Sequence, residues 1–282
     1  MRWTTGLAPG LLGGGGVVFL VAWVVPDRLP AASVVNHRGR AVPTTLGFAL
    51  AGGLALALVF VAGHVFRSDE RLRSEGFAAL WLLLALMAVF AAGVFDDGRP
   101  SPVHGLHAHV AELSRGRVTS GIVKMLVAIG AAAVAALGLG ARGWVLVLAV
   151  PLVAGVTNLC NLLDVAPGRA LKFGLLTGVI LLVCRASVLA WATVSAAAVL
   201  LPLDVRERGM LGDAGANTLG FVLGVVLLLE LPLWGLAIAC GIVLFLHGLA
   251  ETVTLSRIIR RTAALRWLDD LGRIPVRGPG IG

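Results

Sequence analysis

The chain has 282 residues, 58% hydrophobic and only 13% charged, with a mean hydropathy of +0.95. That balance excludes an ordinary soluble domain and describes a polytopic membrane protein. The net charge of +8 does not argue for nucleic acid, because the basic residues are scattered over loops, where they read as topology signals and contacts for anionic lipid or phosphate.

Nine apolar runs are predicted to span, all as helices, because a lipid-exposed backbone must satisfy its own hydrogen bonds. They cover residues 10–25, 42–66, 77–95, 120–138, 144–160, 171–183, 188–203, 215–229 and 233–247. The fold expected is therefore all-α, with about 9–10 transmembrane helices. The first run resembles the apolar core of a signal peptide, but the many spans behind it favour an uncleaved helix. The sixth and seventh are short, with little beyond Arg185 between them. Cys160, Cys184 and Cys240 lie within or at the edges of apolar runs, so no disulfide is expected.

Alternate loops carry seventeen of the 23 basic residues and the opposite loops six. The positive-inside rule then places the N-terminus outside and the C-terminus in the cytoplasm of a cell (cytoplasmic) membrane. Residues 1–253 form one transmembrane domain on this reading. Residues 254–282 form a cytoplasmic segment, in which Leu255, Ile258, Ile259, Leu265, Leu268 and Leu271 recur at helical intervals between arginines. A single amphipathic helix over 254–272, lying on the membrane face and followed by a frayed tail, is expected.

Three apolar runs end in acidic loops on the predicted cytoplasmic side: Phe95-Asp96-Asp97-Gly98-Arg99, Asn158-Leu159-Cys160-Asn161-Leu162-Leu163-Asp164, and Gly209-Met210-Leu211-Gly212-Asp213-Ala214-Gly215-Ala216-Asn217. Adjacent carboxylates at a helix end repel unless a cation or water reaches them. Asp96, Asp97 and Asp213 are hard oxygen ligands of the kind that hold Mg²⁺ while it grips substrate phosphates. Gly209, Gly212 and Gly215 would let the backbone approach a diphosphate at the start of the eighth helix, where an N-terminus favours anions. Gly220 and Gly224 read as packing positions. Asn158 and Asn161 face two open options, a nucleotide or a neighbouring loop. His104, His107 and His109 match no metal spacing and read as a solvated loop. His247 carries more interest, with Glu251 one helical turn away.

These motifs resemble those of the polyprenyl-phosphate N-acetylhexosamine-1-phosphate transferase superfamily, which includes phospho-N-acetylmuramoyl-pentapeptide transferase. The resemblance runs from about Asn36 to Glu251, in the family's order. The segment from Arg38 to Gly47 is similar to the basic, Pro-containing opening of the second helix. Asp96-Asp97 is similar to the family's aspartate pair, Lys124 to its helix-opening lysine, Asn158 to Asp164 to its NLxD segment, and Met210 to Gly215 to its FMGDxG segment. The resemblance implies an Mg²⁺-dependent enzyme, with Mn²⁺ as an alternative. It would move a sugar-1-phosphate from a UDP-amino sugar to a polyprenyl phosphate and release UMP, in cell-envelope glycan or glycolipid biosynthesis. It further implies Asp97 and Asp213 as metal ligands, with Asp96 or Asp97 acting on the lipid phosphate. Lys124 would meet phosphate, Asn161 and Asp164 would line the nucleotide site, and a homodimer is compatible.

The chain departs from the family's pattern after Asp164, reading Val165-Ala166-Pro167-Gly168-Arg169-Ala170. A base-contacting acidic residue is replaced by Pro167, Arg169 adds a cation toward substrate, and Met210 replaces an aromatic. The family's His-rich motif is reduced to His247-Gly248-Leu249-Ala250-Glu251. A divergent subfamily is the reading that follows. The alternatives are a catalytically inactive relative serving as a polyprenyl-lipid-binding or scaffold protein and, more distantly, a transporter.

Overall fold

The computed structural model describes residues 15, 16, 18, 33–35, 39, 41–68, 73–99, 105–185 and 187–274. The predicted first span lies almost wholly outside them, as do Arg38, His104 and the tail beyond residue 274.

The described chain opens on an antiparallel hairpin of β1 (Ser33–Val35) and β2 (Ala41–Pro43), in register Ser33↔Pro43, Val34↔Val42 and Val35↔Ala41. This corrects the expectation that a helix begins at Val42. A residue before proline is pushed to extended backbone, so Val42-Pro43 closes a strand and the helix waits until Thr45. That helix is α1 (Thr45–Ser68), followed by α2 (Arg73–Asp97), α3 (Leu106–Ser114), α4 (Ser120–Gly138), α5 (Gly143–Leu163), α6 (Arg169–Arg185), α7 (Val188–Asp204), α8 (Gly212–Glu230) and α9 (Leu233–Thr252). Six of these, α1, α2, α4, α5, α8 and α9, are long and apolar enough to cross a membrane. The architecture is all-α and compatible with a polytopic membrane protein. Helices α6 and α7 have 17 residues each, about 25 Å at 1.5 Å per residue.

Helix α8 is the axis of the bundle. Its side chains are buried nearly all round, including Phe221, Leu219 and Leu223, and it packs chiefly against α5, α2 and α1. Glycines allow that approach. A Cβ on Gly220 would lie 2.6 Å from the Thr157 Cα, and one on Gly224 2.8 Å from the Val153 Cα, both on α5. Both are packing positions, as expected. Gly215 faces the Gly47 Cα of α1 at 2.5 Å from its would-be Cβ, so it too serves helix packing and not a diphosphate. On the outside of the bundle, Leu84, Trp144, Val183 and Phe245 are exposed. So much large apolar surface suits contact with lipid better than with water.

The C-terminal segment is not one helix. Thr262 adopts extended backbone (φ −95°, ψ 114°) and separates α10 (Leu255–Arg261) from α11 (Ala263–Asp270). The break turns α11 back toward the start of α6. Cys160 and Cys240 are free thiols; the Cys184 side chain lies outside the described residues.

Candidate functional site: an acidic cavity at one end of the bundle

The ends of α2, α5 and α7 and the starts of α4, α6 and α8 meet at one end of the bundle. Helix α8 begins there with a deficit. Its N-cap position is Leu211, whose side chain cannot accept a hydrogen bond, so the first N–H groups need partners from elsewhere. Asp97 supplies them from α2. Its Oδ1 accepts from the Asp213 N–H at 2.8 Å and its Oδ2 from the Ala214 N–H at 3.2 Å. The Gly212 N–H bonds to the Asp164 carboxylate at the end of α5. Carboxylates at a helix N-terminus are favoured both as acceptors and by the helix dipole.

This geometry corrects one expectation. The sequence reads the N-terminus of α8 as a cradle for a substrate diphosphate, with Gly212 opening it. The N–H groups of residues 212–214 are instead taken by Asp97 and Asp164. Gly212 is still required, for two other reasons. Its φ is +63°, and a Cβ there would sit 2.9 Å from Asp97 Oδ2 and 2.7 Å from Thr44 Cγ2.

Lys124, in the second turn of α4, forms ion pairs with both Asp96 and Asp213, the latter at 2.7 Å to Oδ2. The Lys124 and Asp96 side chains are largely buried, while that of Asp213 is about a third exposed at 32%. The lysine that was expected to meet phosphate therefore neutralises the aspartates themselves.

Beside this junction lies a cavity of about 390 Å³, lined by Asp97, Asn161, Asp164 and Asp213 together with Val42, Asp204, Glu207, Gly209 and Met210. The hairpin helps to shape it, because the Met210 N–H donates to the Pro43 carbonyl at 3.0 Å. Burial pushes the Asp164 carboxyl well above the usual carboxylate range. The charges of Asp204, Asp213 and Asp97 add to this, and the Gly212 N–H offsets part of it. A carboxylate raised in this way is a group that a cation would stabilise.

The sequence did not single out Asp204 or Glu207. Asp204 closes an apolar run at the end of α7, the same signal that marked Asp97 and Asp164. Its Oδ2 accepts from the Gly168 N–H at 3.0 Å, which anchors the loop between α5 and α6.

Three expected substrate contacts lie elsewhere. Asn158 donates from Nδ2 to His247 Nε2 at 3.0 Å, and His247 Nδ1 donates to the Val243 carbonyl at 2.8 Å. This pair joins α5 to α9, so of the two asparagines only Asn161 lines the cavity. Arg169 is buried and turned to the C-terminal segment, with Nε and Nη2 each 2.9 Å from an Asp269 carboxylate oxygen and Nη1 on Ser256 at 2.8 Å. Its donors are committed to the protein, not to a substrate. His107 is exposed, and His109 bonds through Nδ1 to Thr119 Oγ1 at 2.8 Å, a contact at the N-cap of α4.

Among the described residues, no group of three or more His, Cys, Asp or Glu side chains is arranged to close on a metal ion. Asp97, Asp164 and Asp213 nonetheless border one cavity, and carboxylate oxygens are the hard donors that Mg²⁺ takes. Mg²⁺ commonly uses one or two carboxylates and takes its remaining ligands from water and substrate phosphate. No protein-family model matches the chain, and no curated protein matches it significantly.

Proposed function

We propose that the chain is an Mg²⁺-dependent membrane transferase that passes a sugar-1-phosphate from a nucleotide sugar, a UDP-amino sugar by the family resemblance, to a polyprenyl phosphate. The observation that carries this reading is the acidic cavity itself. Residues drawn from three separate helix ends, Asp97, Asp164 and Asp213, border one space of about 390 Å³, and Lys124 stands beside it on Asp213. Mn²⁺ would satisfy the same oxygen donors. The positive-inside bias supports a nine-span topology in the cytoplasmic membrane, N-terminus outside, with this cavity on the cytoplasmic face.

In the reaction, a lipid phosphate oxygen attacks the β-phosphorus of the donor. The bond from that phosphorus to the bridging oxygen breaks, and UMP leaves with that oxygen. Asp97 and Asp213 would hold a divalent cation, which would supply stabilisation of charge on the phosphoryl oxygens. Asp97 is fixed for this task by the α8 N–H groups on both its oxygens. Asp96 does not border the cavity; it holds Lys124, which in turn aims Asp213. Asp96 is accordingly a positioning residue here, and the aspartate pair divides its labour. By the family resemblance Asn161 and Asp164, which line the same cavity, would contact the nucleotide.

The test is a panel of nucleotide sugars offered to the purified protein with undecaprenyl phosphate and Mg²⁺, reading nucleoside monophosphate release. One donor should yield UMP, and Asp213→Asn should abolish that yield while the protein stays folded. Wild-type turnover by Asp213→Asn would sink the site assignment. One observation favours a second reading, a catalytically inactive relative that binds polyprenyl lipid: Lys124 bridges Asp96 and Asp213, where a cation would otherwise be needed. Lipid binding without release from any donor would favour it.

A further inference from the structure

The loop from Asp164 to Gly168 carries the departures from the family's pattern, and it forms one wall of the cavity through Val165, Ala166 and Pro167. Its outer side is held by the C-terminal segment. Asp269, on α11, is buried at 7% exposure and grips two arginines at once. Arg169, at the end of the loop, meets both its oxygens at 2.9 Å. Arg273 meets them at 2.9 and 2.5 Å. Arg273 then reaches the loop directly, with Nε donating to the Pro167 carbonyl at 2.8 Å. Lys172, one turn into α6, donates to the Leu268 and Asp269 carbonyls at 2.9 and 2.6 Å. These are charge-assisted bonds in a site shielded from solvent, the strongest class a side chain makes.

We propose that the C-terminal segment is a structural part of the donor pocket, and that Asp269 is a positioning residue which, through Arg169 and Arg273, fixes the 164–168 loop against the bound nucleotide. The pocket assignment rests on the transferase reading above. The clamp itself does not. Residues 255–274 thus do more than lie on a membrane: they brace the wall that replaces the family's base-contacting segment. Asp204 holds the same loop from the bundle side through the Gly168 N–H, so the loop is gripped from two sides, by the bundle and by the C-terminal segment.

The experiment uses the full-length protein in lipid nanodiscs and compares wild type with Asp269→Asn. Hydrogen exchange in the 164–170 peptide should speed by about tenfold or more while exchange in α8 is unchanged. The donor's KM should rise about tenfold with kcat within twofold of wild type. Unchanged loop exchange overturns the proposal, as does faster exchange with an unchanged KM. A fall in kcat alone also overturns it, because that would place Asp269 in the chemistry. If Asp269→Asn does not fold, Arg273→Ala, which leaves the Arg169–Asp269 pair intact, takes the same two measurements, and the same outcomes uphold or overturn the clamp. If no donor is turned over by wild type, the transferase reading fails separately. Loop exchange together with protection of the loop by bound UDP then decides the clamp: faster exchange and lost protection uphold it, and unchanged values overturn it.

Discussion

Lys124→Met separates a site built for a cation from a site in which the lysine is only structural. The substitution keeps the length of the side chain and removes the ammonium between Asp96 and Asp213. Removing one partner of a buried ion pair costs about 3–5 kcal/mol, because the charge left behind is uncompensated. Asp213 is 32% exposed and Asp96 11%, so water recovers part of that, and roughly 2–3 kcal/mol remains. In a chain of this size the unfolding temperature should fall by about 5–10 °C. The assay is thermal unfolding in detergent, with chelator or with a saturating divalent cation. Mg²⁺ at 100 times its Kd returns about 2.7 kcal/mol, so the variant should regain most of its loss with Mg²⁺, and wild type should respond less. A variant that unfolds at the wild-type temperature in chelator would refute the view that this pair of carboxylates needs a positive charge. Early unfolding that Mg²⁺ does not repair would refute the placement of a metal beside Asp213.

Gly93→Val should be severe. Its Cβ would lie 2.6 Å from the Ala214 N and 2.7 Å from the Asp213 carbonyl oxygen, both backbone atoms of α8. Overpacking of this kind costs about 1–3 kcal/mol, and turnover should fall further as Asp97 is drawn off its N–H partners. Gly130→Ala, with nothing within 4 Å of the new Cβ, is the control and should stabilise α4 by up to about 1 kcal/mol; both are read by thermal unfolding and activity. Burial alone would raise the Asp269 carboxyl, but Arg169 and Arg273 outweigh it and hold it below the ordinary carboxylate value. The group therefore stabilises the fold above its unfolded value of about 3.9, and that contribution fades as pH falls through the lower folded value. The stability gap between wild type and Asp269→Asn should be full at pH 5–7 and close at the acid end; a gap that stays constant down to pH 2 would contradict the ionised clamp.

The spans were legible because hydropathy over some twenty residues carries a strong signal, and helices α1, α2, α4, α5, α8 and α9 each match a predicted run. The acidic residues were legible too, since carboxylates at the ends of apolar runs stand out. What stayed hidden was direction. Nothing local says that Arg169 turns toward Asp269, a hundred residues on, rather than toward a substrate. Nothing local says that Asn158 meets His247 while Asn161 faces the cavity. Periodicity placed the apolar positions of the C-terminal segment but passed over Thr262, where one extended residue re-aims α11. Asp269 and Asp270 were the clue available in that stretch, two adjacent acids among arginines, but only the structure shows that Asp269 is the buried one and so the one that needs cationic partners.

The capping of α8 explains why these parts are inseparable. A helix that starts with Leu211 has no local acceptor for its first N–H groups, and a polar group left unpaired at a buried position costs about 1–3 kcal/mol. Asp97 and Asp164 relieve that cost only if α2 and α5 end at the level where α8 begins, so the folding requirement and the convergence of carboxylates are met by one arrangement. The same arrangement leaves net negative charge around the cavity, which Lys124 offsets only in part. Asp97 and Asp164, fixed by backbone N–H groups of α8, cannot swing apart to relax the repulsion between them. Carboxylates held in this way keep little conformational freedom, so a cationic or polar ligand that meets them would pay little to order them.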